Sequence, residues 1–220
     1  SRSLSKSKDP SHVMLATVYK QRSDDEAVIA AVLLEKCRRE HSVFSPYIEV
    51  LPKRIPNVNQ FNEALLQELD DQAFAAEVER TQQKILDNWN YFQTKVVENK
   101  KIWNGVAATH PPTFEDYTWA AAVVDSRGLR FQGQVNLAPF ADMFNYQPHK
   151  EKRVSNSGEF FLSHHKLDSE GLTIYADRAA VSGEQLFEDY GDNSDLIYAQ
   201  YHGFVAETNP FRCATIHLRG

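Results

Sequence analysis

Two short segments place polar side chains of catalytic types among apolar neighbours. The first reads Asn136-Leu-Ala-Pro-Phe-Ala-Asp-Met-Phe-Asn-Tyr146, and the second reads Gly183-Glu-Gln-Leu-Phe-Glu-Asp-Tyr-Gly191. Carboxyl, amide and phenol groups in such surroundings can orient a ligand through hydrogen bonds. The two segments are therefore candidates for a functional site.

Other common sites are excluded by the same reading. The glycines never occur at the GxGxxG or GxxxxGK spacing of phosphate-binding loops, and the sequence contains no HExxH or GxSxG. His164 and His165 fall in a predicted strand, where adjacent side chains face opposite ways, so we predict no metal site. Cys37 and Cys213 form no CxxC pair, which excludes a zinc ribbon and a disulfide framework.

Helices that must support these segments are predicted for the first half of the chain. Ser23 and Glu26 have the form of a capping box, and apolar residues fall on every face of the following segment, which predicts a buried helix. Three prolines at positions 46, 52 and 56 predict a connection. Apolar residues between 61 and 96 then recur at helical spacing, as one helix or as two broken near Asp70-Asp71. Thr113 predicts the start of a third helix.

Short strands are predicted after Gly128, where the hydrophobic period changes. Runs at 135–140, 159–162, 172–176 and 185–189 are rich in β-branched and aromatic residues and are bounded by turn residues. One more helix is predicted from Ser194 to about His202, with Gly203 as its C-terminal cap. Helices first and irregular strands second predict an α+β fold.

The composition excludes several classes of protein. The chain has 220 residues with 42% hydrophobic residues, which is enough for a core, and a net charge of −6. An acidic chain lacks the basic field that nonspecific binding to nucleic acid or to a membrane surface needs. No apolar run is long enough for a membrane span, and the first ten residues lack the apolar centre of a signal peptide. We therefore expect an intracellular protein with no nucleic-acid or membrane partner; its oligomeric state is open.

The two polar segments resemble the signature motifs of SET-domain methyltransferases of the Rubisco large-subunit lysine methyltransferase and actin-histidine methyltransferase type. In that branch the first motif reads roughly Pro-x-x-Asp-Met-x-Asn-His, and the second reads Gly-Glu-x-x-x-x-x-Tyr-Gly, followed by Ser-Asn and a helix that ends in Gly-Phe. Three further stretches agree, so the similarity covers roughly residues 28 to 211. They are Pro46-Tyr-Ile-Glu-Val-Leu-Pro52, Phe114-Glu-Asp-Tyr-Thr-Trp-Ala120 with Ser126-Arg127, and Gly203-Phe-Val205.

The resemblance implies a SET-type fold of short irregular strands with a large helical insertion. Residues 1–112 would form the helical insertion region, 113–209 the C-terminal half of the SET domain, and 210–220 the start of a truncated substrate-binding region. It also implies transfer of a methyl group from S-adenosyl-L-methionine to a protein side-chain nitrogen, lysine in preference to histidine. Family members work in plastids, cytosol and nucleus, so we expect cytoplasm or nucleus, with the plastid as an alternative.

Each site residue is carried over from the family by its place in a motif. Tyr190 matches the catalytic tyrosine, and Arg127 matches an arginine that contacts the charged end of the cofactor. The substrate side would include His202 and Tyr201. The cofactor-binding stretch corresponds to Asp142, Met143, Phe144, Asn145 and Tyr146.

Three departures from the family pattern qualify the transfer. Tyr146 stands where the family has histidine, and Asp195 stands where it has asparagine. The family's N-terminal Gly-x-Gly loop, which wraps the methionine part of the cofactor, has no counterpart, since no glycine occurs before Gly105. We expect that the chain is a fragment. The alternative is a catalytically inactive SET-like module that binds other proteins.

Overall fold

The computed structural model describes residues 4, 6–106, 108, 110–131, 133–147, 165–167, 171–175 and 179–213. The helices are α1 (Pro10–Val18), α2 (Asp24–Arg38), α3 (Ser45–Val50), α4 (Glu63–Gln67), α5 (Gln72–Phe92), α6 (Lys100–Trp103), α7 (Phe114–Arg127) and α8 (Asp195–Ile197). Short 3₁₀ turns occupy Arg39–His41, Val58–Gln60 and Ala141–Met143. Helices α5 and α8 each continue as a π-helical turn, Gln93–Val97 and Tyr198–His202.

The core is built around α2 and α7, which pack against each other. Helix α2 is buried on nearly every face, as its all-round apolar sequence predicts, and Leu33 and Leu34 are fully inaccessible. Helix α7 presents three successive alanines at 120–122, whose small side chains let the two helices approach closely. Its Trp119 donates from Nε1 to the Pro52 carbonyl over 2.8 Å. The first half of α7 is thereby held beside the proline-bounded connection.

A buried ion cluster joins α1 to α2. The guanidinium of Arg38 donates to Asp9 and to Glu35, each over 2.7 Å, and to the Val106 carbonyl over 2.7 Å. His12 contacts the same Glu35 carboxylate at 2.7 Å. Asp9, His12 and Glu35 are close enough to share an ion, but Arg38 already supplies the positive charge between the two carboxylates. The cluster is therefore satisfied as a structural ion pair network.

Three two-stranded sheets follow. Strand β1 (Leu129–Phe131) pairs antiparallel with β2 (Gln134–Asn136), and β4 (His165–Leu167) pairs antiparallel with β5 (Leu172–Ile174). Strand β3 (Asn145–Tyr146) pairs in parallel with β6 (Phe187–Glu188), with Asn145 opposite Phe187 and Tyr146 opposite Glu188. This parallel pair brings the two polar segments of the sequence side by side.

The predicted α+β class is confirmed, and most predicted elements are present. Asp71 caps α5, so the long helical pattern is two helices, and Thr113 and Asp116 form a reciprocal capping box. Ser23 also caps α2, but the Glu26 side chain pairs with Arg22 and completes no box.

Several boundaries differ from the prediction. The run at 135–140 yields only β2, because Pro139 cannot donate a ladder hydrogen bond and Phe140 has a positive φ of 79°. The connection with Pro46 contains α3, with the proline in its first turn, and α1 and α6 were not predicted. The run at 159–162 and His164 lie outside the described residues. None of the helices in the described ranges combines the length and apolar character needed to cross a membrane.

Gly203 ends the last helix at a crowded point, and its replacement should be costly. Its φ is 78°, and an added Cβ would lie 3.1 Å from the backbone nitrogen of Asn57 and from the Pro56 carbonyl carbon. A residue with a Cβ at this φ pays a conformational cost, and the close contact adds to it. We expect the contact in Gly203→Ala to lower the free energy of unfolding, measured by urea denaturation, by about a further 1–3 kcal/mol. Gly183→Ala is the matched control, because its φ is 90° and nothing lies within 4 Å. The control should lose about 1–2 kcal/mol. Equal losses would contradict the assigned close contact.

Candidate functional site

A cavity of about 680 Å³ lies where the end of α7, the 142–147 segment, Tyr190 and the 202–208 segment meet the proline-bounded connection. Every predicted site residue except Tyr201 lines it. The parallel β3–β6 pair and the C-terminus of α7 are the elements that bring these residues together.

Arg127 is the last residue of α7 and points into this cavity. Its Nη1 donates to the Asp142 carbonyl over 2.6 Å and lies 3.7 Å from the sulfur of Met143. Its Nε is buried and has no hydrogen-bond partner among the described residues. A buried N–H without a partner is costly, so this guanidinium has a donor in reserve for a ligand.

Asp142 supplies the complementary group. Its side chain is buried, one carboxylate oxygen accepts from the Tyr47 hydroxyl, and Oδ1 has no partner within the described part of the chain. Burial raises the pKa of the Asp142 carboxyl above its usual value. The Tyr47 hydrogen bond and the nearby Arg127 charge act in the opposite direction and make this rise smaller. Arg127 and Asp142 both line this cavity, and each keeps one buried polar atom without a partner among the described residues. A ligand that carries both a carboxylate and an ammonium group would complement the two side chains in charge.

Tyr190 follows strand β6 by two residues. Its hydroxyl donates to the Phe144 carbonyl over 2.6 Å, so the hydroxyl proton is committed and the lone pairs of the oxygen are left as acceptors. Burial raises the pKa of Tyr190 to about 12, with the Glu188 charge adding to the effect. The phenol is therefore uncharged at neutral pH, as a hydrogen-bond acceptor at this site should be.

Aromatic rings form one wall of the cavity. The ring of Tyr146 lies 5.5 Å from that of Tyr190 and 4.8 Å from that of Tyr198, and Phe204 lies 5.6 Å from Tyr146. The tyrosine that departs from the family's histidine is thus packed against the predicted catalytic residue. His202 also lines the cavity, with its ring 5.0 Å from that of Tyr190, whereas Tyr198 packs against Tyr146 and is not a lining residue.

The remaining predicted residues have distinct positions. Met143 and Phe144 lie between Arg127 and Tyr190, and Asn145 is exposed at the edge of the cavity. Tyr201 is not among the residues that line it, and it interacts electrostatically with Asp125 and Arg130 instead. Sequence reasoning assigned no role to Tyr47, although it lies in the proline-bounded stretch that carries part of the resemblance.

Solved structures of other proteins share this fold. The crystal structure of Rubisco LSMT bound to AdoMet superposes with a TM-score of 0.73 at 19% identity, over 94% of this chain and 44% of that one. The SET domain of LSMT bound to MeLysine and AdoHcy gives 0.73 at 20% identity over the same shares. Likenesses at such identities establish the fold.

Sequence relatives are of the same type. The actin-histidine N-methyltransferase of Drosophila melanogaster is 26% identical over 199 residues, which are 81% of this chain and 35% of that protein. The ribosomal lysine N-methyltransferase set10 of Schizosaccharomyces pombe is 27% identical over 200 residues, 84% and 32% of the two chains. The chain is similar to SET-domain proteins of the Rubisco-methyltransferase type. It spans about a third of the length of these relatives, and no protein-family model matches it.

Helix α7 also carries a second group with an unusual environment, Asp125. Asp125 borders a separate cavity of about 450 Å³, together with Asn57 and Asn59. Asn59 donates to the Asp125 carboxylate over 3.4 Å, and both amide atoms of Asn57 lack partners among the described residues. Burial raises the pKa of the Asp125 carboxyl to about 7, and the nearby Asp25 charge adds to this.

The raised pKa predicts how pH changes the stability of the protein. Between about pH 4 and 7 the folded chain holds a proton on Asp125 that the unfolded chain has released, so stability should fall as pH rises through that window. Asp125→Asn stays neutral and should match the wild type near pH 4 and exceed it above pH 7 by on the order of 1 kcal/mol. Thermal unfolding at both pH values measures this.

The matched control is Asp87→Asn on the exposed surface of α5, which should show no such gain. If Asp125→Asn were more stable than the wild type by the same amount at pH 4 and pH 8, the pKa of the Asp125 carboxyl would not be raised.

Proposed function

We propose that the protein containing this chain transfers a methyl group from S-adenosyl-L-methionine to a nitrogen of a protein side chain. The observation that carries the proposal is that Arg127, Asp142 and the neutral Tyr190 phenol line one cavity. Relatives that share this fold are named as protein methyltransferases and include both lysine and histidine enzymes.

The residues present fit the cofactor. Its amino acid end carries one carboxylate and one ammonium group, which the Arg127 Nε donor and the Asp142 Oδ1 acceptor complement in sign and in hydrogen-bonding type. Met143, Phe144, Asn145 and Tyr146 continue the same wall of the cavity. When bound, S-adenosylmethionine supplies an electrophilic methyl carbon on a positively charged sulfur. The protein then needs to contribute positioning and electrostatics only.

Tyr190 would orient the reacting groups. Because its proton is committed to the Phe144 carbonyl, the oxygen presents lone pairs to the cavity and can accept hydrogen bonds from the target nitrogen. A phenol held neutral by burial adds no competing charge beside the departing methyl. His202 and Tyr201 stay predictions for the substrate side, His202 with the support of its place in the cavity.

The remaining assignments are proposals of the same kind. Residues 1–112 are proposed as the helical insertion, 113–209 as the C-terminal half of the SET domain, and 210–220 as the beginning of a substrate-binding region. Lysine is the proposed acceptor, with histidine as the alternative, and a protein is the proposed substrate. We propose the cytoplasm or nucleus as the compartment; a chloroplastic tobacco relative keeps the plastid as an alternative.

Two substitutions at opposite ends of the cavity separate chemistry from cofactor binding. Tyr190→Phe removes the hydroxyl acceptor but leaves the ring, so we expect turnover to fall by at least about a hundredfold while cofactor affinity stays nearly unchanged. Arg127→Leu removes the carboxylate partner and should weaken S-adenosylmethionine binding by about tenfold or more. Isothermal titration and transfer of a labelled methyl group measure the two effects in the full-length protein.

Two experimental results would reject different parts of the proposed function. A full-length wild-type protein that neither binds S-adenosylmethionine nor transfers a methyl group would reject the enzyme proposal and favour the inactive interaction module. If Tyr190→Phe retained full turnover, the catalytic assignment alone would be rejected.

A further inference from the structure

We infer that His202 is held as a neutral imidazole with its proton on Nδ1, and that its Nε2 lone pair accepts a hydrogen bond from the target nitrogen. Together with the Tyr190 oxygen, it would make a pair of acceptors matched to the two N–H groups of a neutral lysine amine. The inference rests on the proposed function and names its substrate class.

The tautomer follows from one contact. Nδ1 of His202 lies 3.1 Å from the carbonyl oxygen of Ser126, at the end of α7. A carbonyl oxygen can only accept, so Nδ1 must donate, and a neutral imidazole then has its lone pair on Nε2. Burial lowers the pKa of His202 below its usual value, although the Ser126 bond opposes this, so the ring is uncharged at neutral pH.

Because Nε2 lies across the imidazole from Nδ1, it points away from the Ser126 carbonyl, on a ring that lines the cavity. His202 lines the same cavity as Tyr190, with the two rings 5.0 Å apart. Its other ring contacts are Tyr198 and Phe204. The charged groups that face the same cavity from neighbouring elements are Arg54, Arg127, Asp142 and Glu207. Nδ1 of His202 donates to the Ser126 carbonyl, and the Tyr190 hydroxyl donates to the Phe144 carbonyl. The remaining lone pairs of these two side chains are therefore hydrogen-bond acceptors.

A pair of hydrogen-bond acceptors favours a primary amine over an imidazole as the nitrogen that is methylated. A neutral primary amine has two N–H groups and one lone pair, so hydrogen bonds to Tyr190 and His202 leave the lone pair to attack the methyl carbon. The nitrogen forms a bond to that carbon, the carbon–sulfur bond breaks, and the sulfur keeps the electron pair. The methylated nitrogen then releases one proton to water. An imidazole acceptor has one N–H at most and would leave one of the two acceptors unmatched.

Nitrogen NMR of the uniformly ¹⁵N-labelled full-length protein tests the tautomer directly, with His202→Phe used to assign the signals. At pH 7 we expect a protonated Nδ1 and an unprotonated Nε2, and we expect the Nε2 signal to move when n-butylamine is added as a probe of the lysine end. A proton on Nε2, a charged ring at pH 7, or an Nε2 signal that ignores the amine would overturn the inference.

Methylation of poly-L-lysine tests the consequence. His202→Phe keeps the ring shape without the acceptor and should lower kcat about tenfold to a hundredfold. His202→Gln retains an acceptor oxygen and should lose less, and His41→Phe, at an exposed site, should match the wild type. A His202→Phe variant with wild-type kcat overturns the inference while the proposed function stands. A wild-type protein that binds no S-adenosylmethionine rejects the proposed function, whereas the NMR result still decides the tautomer.

Discussion

The hydrogen bond from Arg127 to the Asp142 carbonyl joins the helical half of the chain to the strand half. It runs 2.6 Å from the last residue of α7, the central buried helix, to the segment that leads into β3. Because α7 packs on α2, this bond ties the 142–146 segment to the core, together with the Tyr47 hydrogen bond to Asp142 and the β3–β6 pairing. The Phe144 carbonyl is placed by the same segment, and it in turn holds the Tyr190 hydroxyl. The two ends of the cavity are thus positioned by one rigid element.

The C-terminal side of the cavity depends on a second constraint. Gly203 lets the chain turn with a positive φ directly against the backbone of residues 56 and 57. The helix before it then presents His202 to the Ser126 carbonyl, one residue before Arg127. Helix α7 therefore supplies three successive residues with different tasks: Asp125 faces a separate cavity, Ser126 fixes the imidazole, and Arg127 faces the proposed cofactor site.

Much of this arrangement could be predicted from the sequence, where local signals were strong. Thr113 and Asp116 predicted the start of α7, the apolar run after Ser23 predicted a buried helix, and Gly203 predicted the end of the last helix. Strand lengths were overestimated, because the β propensity of 135–140 says nothing of the backbone turn that Phe140 makes with a φ of 79°. The link from Tyr47 to Asp142 spans 95 residues, and the direction in which Tyr201 faces depends on packing around Asp125. Neither is encoded in a local pattern.

The central claim is that one cavity holds the cofactor by its charged end and the acceptor nitrogen beside Tyr190. A crystal structure of the full-length protein with S-adenosylhomocysteine tests it most directly. We expect the ligand carboxylate within hydrogen-bond distance of Arg127 Nε, its ammonium group near Asp142 Oδ1, and its sulfur directed toward Tyr190. A ligand bound elsewhere, or Arg127 Nε and Asp142 Oδ1 left without a ligand partner, would contradict it.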